Sequence, residues 1–166
     1  MRRKDREIQS IDEKIKIIDK CKHCRLGLSE NDIPYIIPLN YGYSYENNIL
    51  NLFFHSAKDG KKIEIIKNNS KSCFEIDCDT KLIEGENACK FSYEFRSIIG
   101  FGEIIILKTN KEKNEGLSNI MKHQTGKNFM FNKEQLDNVL VFKMVVSSFT
   151  GKVKILSEEK INDAME

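Results

Sequence analysis

The ten residues Phe53 to Lys62, FFHSAKDGKK, set a histidine, a serine and three lysines behind an apolar run. Two kinds of chemistry use such a set. A nucleophile with its base is the first, but adjacent residues on an extended strand point to opposite faces, so His55 and Ser56 cannot easily bond as a dyad. A serine hydrolase is therefore not expected. An anion seat is the second: a helix N-terminus offers unpaired amides and the positive end of a dipole. Ser56 follows a strand and is expected to open a helix reaching about Asn69, with Asp59 completing an imperfect capping box. Gly60 lets backbone approach closely, and Lys61 and Lys62 supply charge. The pattern is not a Walker loop. Locally, a capped helix with solvated lysines explains the stretch as well, and His55 is either ligand-facing or a satisfied polar residue.

A second set is Phe95 to Gly102, FRSIIGFG. Alternation puts Arg96, Ile98, Gly100 and Gly102 on one face, where the glycines admit a ligand or another backbone. Arg96 at the head of that face suits a carboxylate or phosphate; a barrel corner with a surface arginine is the plain alternative. The cysteines form a CxxC, Cys21 to Cys24, with Cys73 and Cys78 as nominal completion of a four-thiolate site. Cys73 and Cys78 are an odd number apart within one strand-like run, so they tend to face opposite sides. Cys21 also lies at a helix end without a knuckle glycine. No metal site is expected, nor thioredoxin-type chemistry, which favours a cysteine at a helix N-terminus.

The elements that position these groups follow from pattern. Ser10 caps a first helix with Glu13 placed to reach back, and Ile8, Ile11, Ile15 and Ile18 lie at helical spacing up to about Cys21. Strands are expected at Cys24 to Leu28, Tyr35 to Tyr41, Ile49 to His55, Ser72 to Asp77, Phe95 to Lys108 and Val139 to Val146. Ser29 to Asp32 and Asn47-Asn48 are turns, the latter joining the second and third strands in a hairpin. Pro38 cannot donate to a ladder and belongs at an edge, bulge or strand end. Thr80 to Ala88 reads as an irregular excursion. Helices are expected at Lys111 to His123, stopped by Gly126, and at Lys133 to Asp137. Six strands mostly joined by hairpins, without a helix between each pair, indicate a small antiparallel barrel with helices outside.

The chain has 166 residues, 40% hydrophobic and 31% charged, with 27 basic and 25 acidic residues. That length suits one core, and a net charge of +2 advertises neither nucleic acid nor membrane. No apolar segment follows the basic N-terminus, and no run approaches a membrane span. A cytoplasmic protein with reduced thiols is expected, since five cysteines without an export signal do not suggest a disulfide framework.

The segments CRLGL, PYIIPLNYGY, FFHSAKDGKK, FEID, EGENAC and YEFRSIIGFGE, in this order, resemble the nitroimidazole-resistance (NimA-type) branch of the pyridoxamine 5′-phosphate oxidase-related proteins. The resemblance runs to FTGK, residues 149–152. It implies an FMN-binding split barrel over residues 1–152, mainly β with peripheral helices, followed by a charged tail at 153–166. It also implies a homodimer with FMN in clefts at the interface. By position, His55 and Ser56 stand at the flavin's phosphate end, and Lys61 and Lys62 at the phosphate. Pro38, Leu39 and Asn40 border the ring, Arg96 and Ser97 reach it from a neighbouring strand, and Lys152 joins from the closing segment. Lys61 stands where the wider family often has arginine, keeping the charge without the bidentate grip. The activity implied is electron transfer from NAD(P)H to a small acceptor such as a nitro compound, with His55 as the candidate catalytic residue. A non-catalytic flavin- or haem-binding dimer is the alternative. Oxidation of pyridoxamine phosphate itself is not expected, since the C-terminal segment lacks a second basic cluster.

Overall fold

The computed structural model describes residues 2–155. Among them, eight strands form one sheet: β1 (Glu7–Ile8), β2 (His23–Glu30), β3 (Ile33–Asn40), β4 (Gly42–Glu46), β5 (Ile49–Ser56), β6 (Lys71–Ile83), β7 (Ser92–Leu107) and β8 (Leu140–Lys154). The helices are α1 (Ile11–Lys20), α2 (Lys61–Asn68), α3 (Asn110–Thr125) and α4 (Lys133–Asn138). The order β3-β2-β6-β7-β8-β5-β4, with β1 on β8, is antiparallel throughout. No helix of the described residues is long and apolar enough to cross a membrane.

The tight turns come from local chemistry. Asn31-Asp32 and Asn47-Asn48 all have positive φ, between 50° and 64°, the conformation that two-residue hairpin turns demand and Asn and Asp tolerate. The second expected strand is, however, two. Residues 33–40 pair with β2, and residues 42–46 pair with β5. The bend falls at Tyr41, whose buried hydroxyl donates to the carbonyls of Ile18 (2.6 Å) and Cys21 (3.0 Å). One continuous segment thus serves both edges of the sheet. The sheet rolls up without closing, and a split opens where β3 and β5 part.

Inside the roll, Leu26, Leu50, Leu52, Phe54, Phe74, Ile76, Ile98, Phe142 and Met144 are buried in one core. α1 covers one end through Ile17 and Ile18; Ile11 stays exposed and Ile8 enters the short β1, so the apolar face differs from the expected one. Ser10 accepts from the Glu13 amide at 3.3 Å. Outside the roll, α3 and α4 cover a smaller core of Phe53, Leu107, Leu117, Ile120, Leu136 and Val141. α3 carries a complete Thr109–Glu112 capping box and ends at Gly126 in the left-handed region (φ 73°), as its sequence predicts.

Four boundaries correct the sequence reading. β5 runs through Ser56, paired with Leu140, so Ser56 does not open a helix; its hydroxyl donates to the Ala57 carbonyl at 2.6 Å. α2 begins only at Lys61, with Gly60 (φ 121°) before it. β6 runs on into the expected excursion as far as Ile83, through a bulge at Asp79-Thr80, where Asp79 adopts φ 58°. β8 extends to Lys154, so position 152 lies inside a strand. Val153 and Lys154 thus belong to β8 and not to the expected tail, which from residue 156 onward lies outside the described residues.

Candidate functional site

The split gathers most of the expected residues. The last β4–β5 pair is Gly42 with Phe53. Two residues further along each diverging chain stand Asn40 and His55, and their parity places both on the outer face. Pro38 lies outward and exposed on the edge strand β3, opposite Arg25, which satisfies its missing donor. Leu39 turns inward against the main core. On β5, His55 and Ser56 point to opposite faces, the geometry that denies them a dyad. The Nδ1 atom of His55 is buried and has no hydrogen-bond partner among the described residues. Such an atom costs about 1–3 kcal/mol, and a polar ligand group beside it would offset that cost.

Ala57 to Gly60 lead from this strand end into α2, whose first residues are Lys61 and Lys62. The Ile63 and Glu64 amides bond back to the Gly60 carbonyl at 2.8 and 3.2 Å. The helix is short, but Ile63, Ile65 and Ile66 anchor it in the main core. Lys61 is exposed, with Nζ 5.1 Å from the Tyr35 ring centroid on β3, so the ring holds the cation beside the strand that carries Pro38 and Asn40. Tyr35 lies within PYIIPLNYGY but was not singled out by sequence; only the fold shows what its ring supports. The strand that carries the unpartnered imidazole thus leads through four residues into a helix start bearing two cations, a combination suited to an anion.

Ser97 and Lys152 lie elsewhere. They are direct cross-strand partners on the outer face of β7 and β8, and Lys152 Nζ sits 5.4 Å from the Phe95 ring centroid. His55 pairs with Val141 on β8, so eleven steps along that strand separate it from Lys152, on the order of 30 Å of extended chain. Both cannot contact the same small ligand from one chain. Arg96 turns the other way, inward beside α1, and its Nη1 bonds Asp79 Oδ2 at 2.7 Å. Lys20 pairs with the same carboxylate. These groups border a cavity of about 440 Å³ that also touches Lys16, Ile17 and Val153. Gly100 and Gly102 give room to the protein itself, not to a ligand: a Cβ on Gly100 would meet Phe74, and one on Gly102 the Val145 backbone at the β7–β8 bulge.

The hydrogen bond from Lys20, assisted by that from Arg96, holds the Asp79 carboxyl below its ordinary range. A depressed carboxylate adds stability that is present above its unfolded pKa and lost as pH falls through the folded one. Asp79→Asn is expected to cost under about 1 kcal/mol at neutral pH, since the group is partly exposed. Its stability gap from the parent protein should close below about pH 4. Urea unfolding of both proteins at pH 7 and pH 3 checks this; an unchanged gap would remove Asp79 from the titration.

The outer face also carries an apolar stripe. Ile36 (68% exposed), Ile99, Phe101 (56%) and Ile105 stand open on β3 and β7. A cavity of about 570 Å³ lined by Phe101, Ile105, Val145, Lys71 and Glu103 lies along it.

The profile of the pyridoxamine 5′-phosphate oxidase family matches residues 10–153. No curated protein matches the sequence. Among solved structures, a candidate 5-nitroimidazole antibiotic resistance protein from Bacteroides thetaiotaomicron is 30% identical, with a TM-score of 0.76 over 89% of this chain and 86% of that one. A FAD- and haem-binding protein from Mycobacterium smegmatis superposes with a TM-score of 0.78 at 12% identity, over 95% of this chain and 80% of its own. A flavocytochrome from Azotobacter vinelandii gives 0.75 at 16%, over 98% and 77%. The last two show a shared fold, while the profile and the Bacteroides protein carry the relationship in sequence. The split barrel described above is therefore that of a known lineage, and the chain belongs to the pyridoxamine 5′-phosphate oxidase family.

Proposed function

We propose that this chain binds FMN at the split of its barrel as one half of a homodimer, and passes electrons from a reduced nicotinamide to a small acceptor such as a nitro compound, in the cytoplasm. The observation that carries the reading is the buried, unpartnered Nδ1 of His55, on the strand that leads into the lysines opening α2. In this reading Lys61 and Lys62 hold the phosphate. Pro38 and Asn40 border the ring system, and His55 orients a polar group of the flavin or of the acceptor. Bound FMN supplies the hydride and electron chemistry; the chain supplies position, charge and a site sheltered from water.

The dimer rests on separation. His55 and the Ser97–Lys152 pair stand at opposite ends of β8, so one flavin touches both sets only if a second copy supplies the far set. The exposed stripe of Ile36, Ile99, Phe101 and Ile105 suits burial against a second copy. Arg96, engaged with Asp79, reaches a flavin only by leaving that carboxylate.

A second reading shares the same observation. An imidazole with a free nitrogen also suits haem iron, and the Mycobacterium and Azotobacter neighbours are described as haem-binding or as a flavocytochrome. The absorption spectrum of the purified protein separates the two. Flavin bands, with FMN as the chromophore released on denaturation, support the first; a Soret band supports the second. Absence of any bound chromophore after FMN addition overturns both. Anaerobic NADH or NADPH should then bleach the flavin, and a nitroimidazole should restore it; bleaching by neither nicotinamide would leave the binding reading and remove the reductase.

A further inference from the structure

We infer that Cys21 and Cys78 form a reversible disulfide site that ties the end of α1 to β6. Cys21 is the residue that ends α1, and its buried thiol reaches the Asp77 carbonyl at 3.5 Å. Cys78, the residue after Asp77, packs its side chain against the same core as Cys21. The chain neighbours hold the pair in register: Lys20, just before Cys21, is ion-paired to Asp79, just after Cys78, and Arg96 clamps the same carboxylate from β7. The remaining cysteines are placed apart. Cys24 is buried on β2 against the main core, Cys73 turns to the outer face beside Gly27, and Cys89 is exposed on the β6–β7 loop. The CxxC spacing that drew attention in the sequence is therefore not the pairing the fold favours.

The oxidant is a hydroperoxide. Cys78, the more exposed sulfur, attacks it as thiolate and becomes a sulfenic acid, while an alcohol, or water from hydrogen peroxide itself, leaves. The Cys21 sulfur then attacks Cys78, an S–S bond forms, and water carries away the hydroxyl with the Cys21 proton. Two thiols have lost two electrons and two protons, and the peroxide O–O bond has accepted them. A dithiol reverses the step. Burial holds both thiols protonated, so oxidation should accelerate as pH rises. The bond would matter at the split as well: the Cys21 carbonyl accepts from Tyr41 at the strand bend, so the cross-link would stiffen that anchor.

The test treats the reduced, folded full chain with hydrogen peroxide, traps free thiols by alkylation and maps peptides by mass. A product lighter by two hydrogens, with the Cys21 and Cys78 peptides joined and separable by dithiothreitol, is expected. The unfolding midpoint should rise by several degrees on oxidation, because a long loop is closed in the unfolded chain. Cys78→Ser and, separately, Cys21→Ser should abolish both changes, and Cys89→Ser neither. If Cys21→Ser fails to fold, Cys78→Ser alone decides. Joining of Cys21 to Cys24, oxidation confined to Cys89, or sulfinic acid at Cys78 without a cross-link would each overturn the assignment. Because no flavin enters the assay, its outcome is independent of the proposed cofactor.

Discussion

Lys61→Ala together with Lys62→Ala is expected to weaken FMN binding on the order of a hundredfold while changing riboflavin binding by less than about threefold. A hydrogen bond to a charged group contributes about 1.5–3 kcal/mol. Two such bonds in a dry site would predict a larger loss. Lys61 is exposed, however, and Lys62 only half-buried, so solvent and salt reduce each, and about 3 kcal/mol for the pair is the reasonable scale. The contrast with riboflavin isolates the phosphate, since the two ligands share ring and ribityl chain. Folding should survive, because α2 is anchored by Ile63, Ile65 and Ile66, not by its lysines. What goes with Lys61 in stability is its contact with Tyr35, at most about 1 kcal/mol at an exposed site. Lys61→Arg runs the other way: a planar guanidinium grips phosphate with two donors and still stacks on Tyr35, so FMN should bind severalfold more tightly. Titration by flavin fluorescence quenching reads the parent protein and both variants. Equal loss of FMN and riboflavin in the double variant would take the lysines off the phosphate and move the anion seat elsewhere.

How much of this was legible beforehand depended on whether the determinant was local. The Asn-Asn turn, the Thr109 and Gly126 ends of α3 and the alternating run of β7 are written in neighbouring residues, and the structure places them as their patterns indicate. Ser56 looked like a helix cap because nothing nearby reveals that β8 pairs with it through Leu140; a partner more than eighty residues away overrode a local propensity. The bend at Tyr41 was hidden for the same reason, since alternation continues through it and only the hydroxyl's bonds to α1 pin it. Arg96 read as a ligand contact because a lone arginine heading a glycine-bearing face has no visible partner. The bulge that delivers Asp79 to it lies seventeen residues earlier. The site is legible through the resemblance more than through chemistry, and the resemblance groups residues that one chain keeps apart. What the fold adds is that division: Asn40 and His55 at the split, Ser97 and Lys152 at the far end of β8, and Arg96 committed to another face.

Gly42→Ala is expected to destabilise the fold by about 3 kcal/mol or more, lowering the unfolding midpoint by roughly 10 °C. A Cβ at Gly42 would stand under 3.0 Å from the Asn119 carbonyl group and the Ile120 amide of α3. These are backbone atoms of a helix, so no rotamer change relieves the clash; α3 must lift as a body. Gly60→Ala tests the opposite case, since nothing lies within 4 Å and only its φ of 121° resists a side chain; about 1 kcal/mol is expected there. Lifting α3 would also disturb the bend. His123, buried on α3, sets its two ring nitrogens 2.8 Å from the Tyr41 carbonyl and 2.9 Å from the Asp19 carbonyl, and Gln124 donates to the same Tyr41 oxygen at 2.8 Å. The glycine and the histidine therefore belong to one joint, where α3 presses on the strand that turns beside Asn40. His123→Gln should cost about 1–3 kcal/mol alone and distinctly less in a Gly42→Ala background, where the helix has already moved. Urea unfolding of the four proteins closes the cycle. Strict additivity, or a Gly42→Ala cost below about 1 kcal/mol, would mean that α3 docks loosely and that the bend at Tyr41 is held from α1 alone.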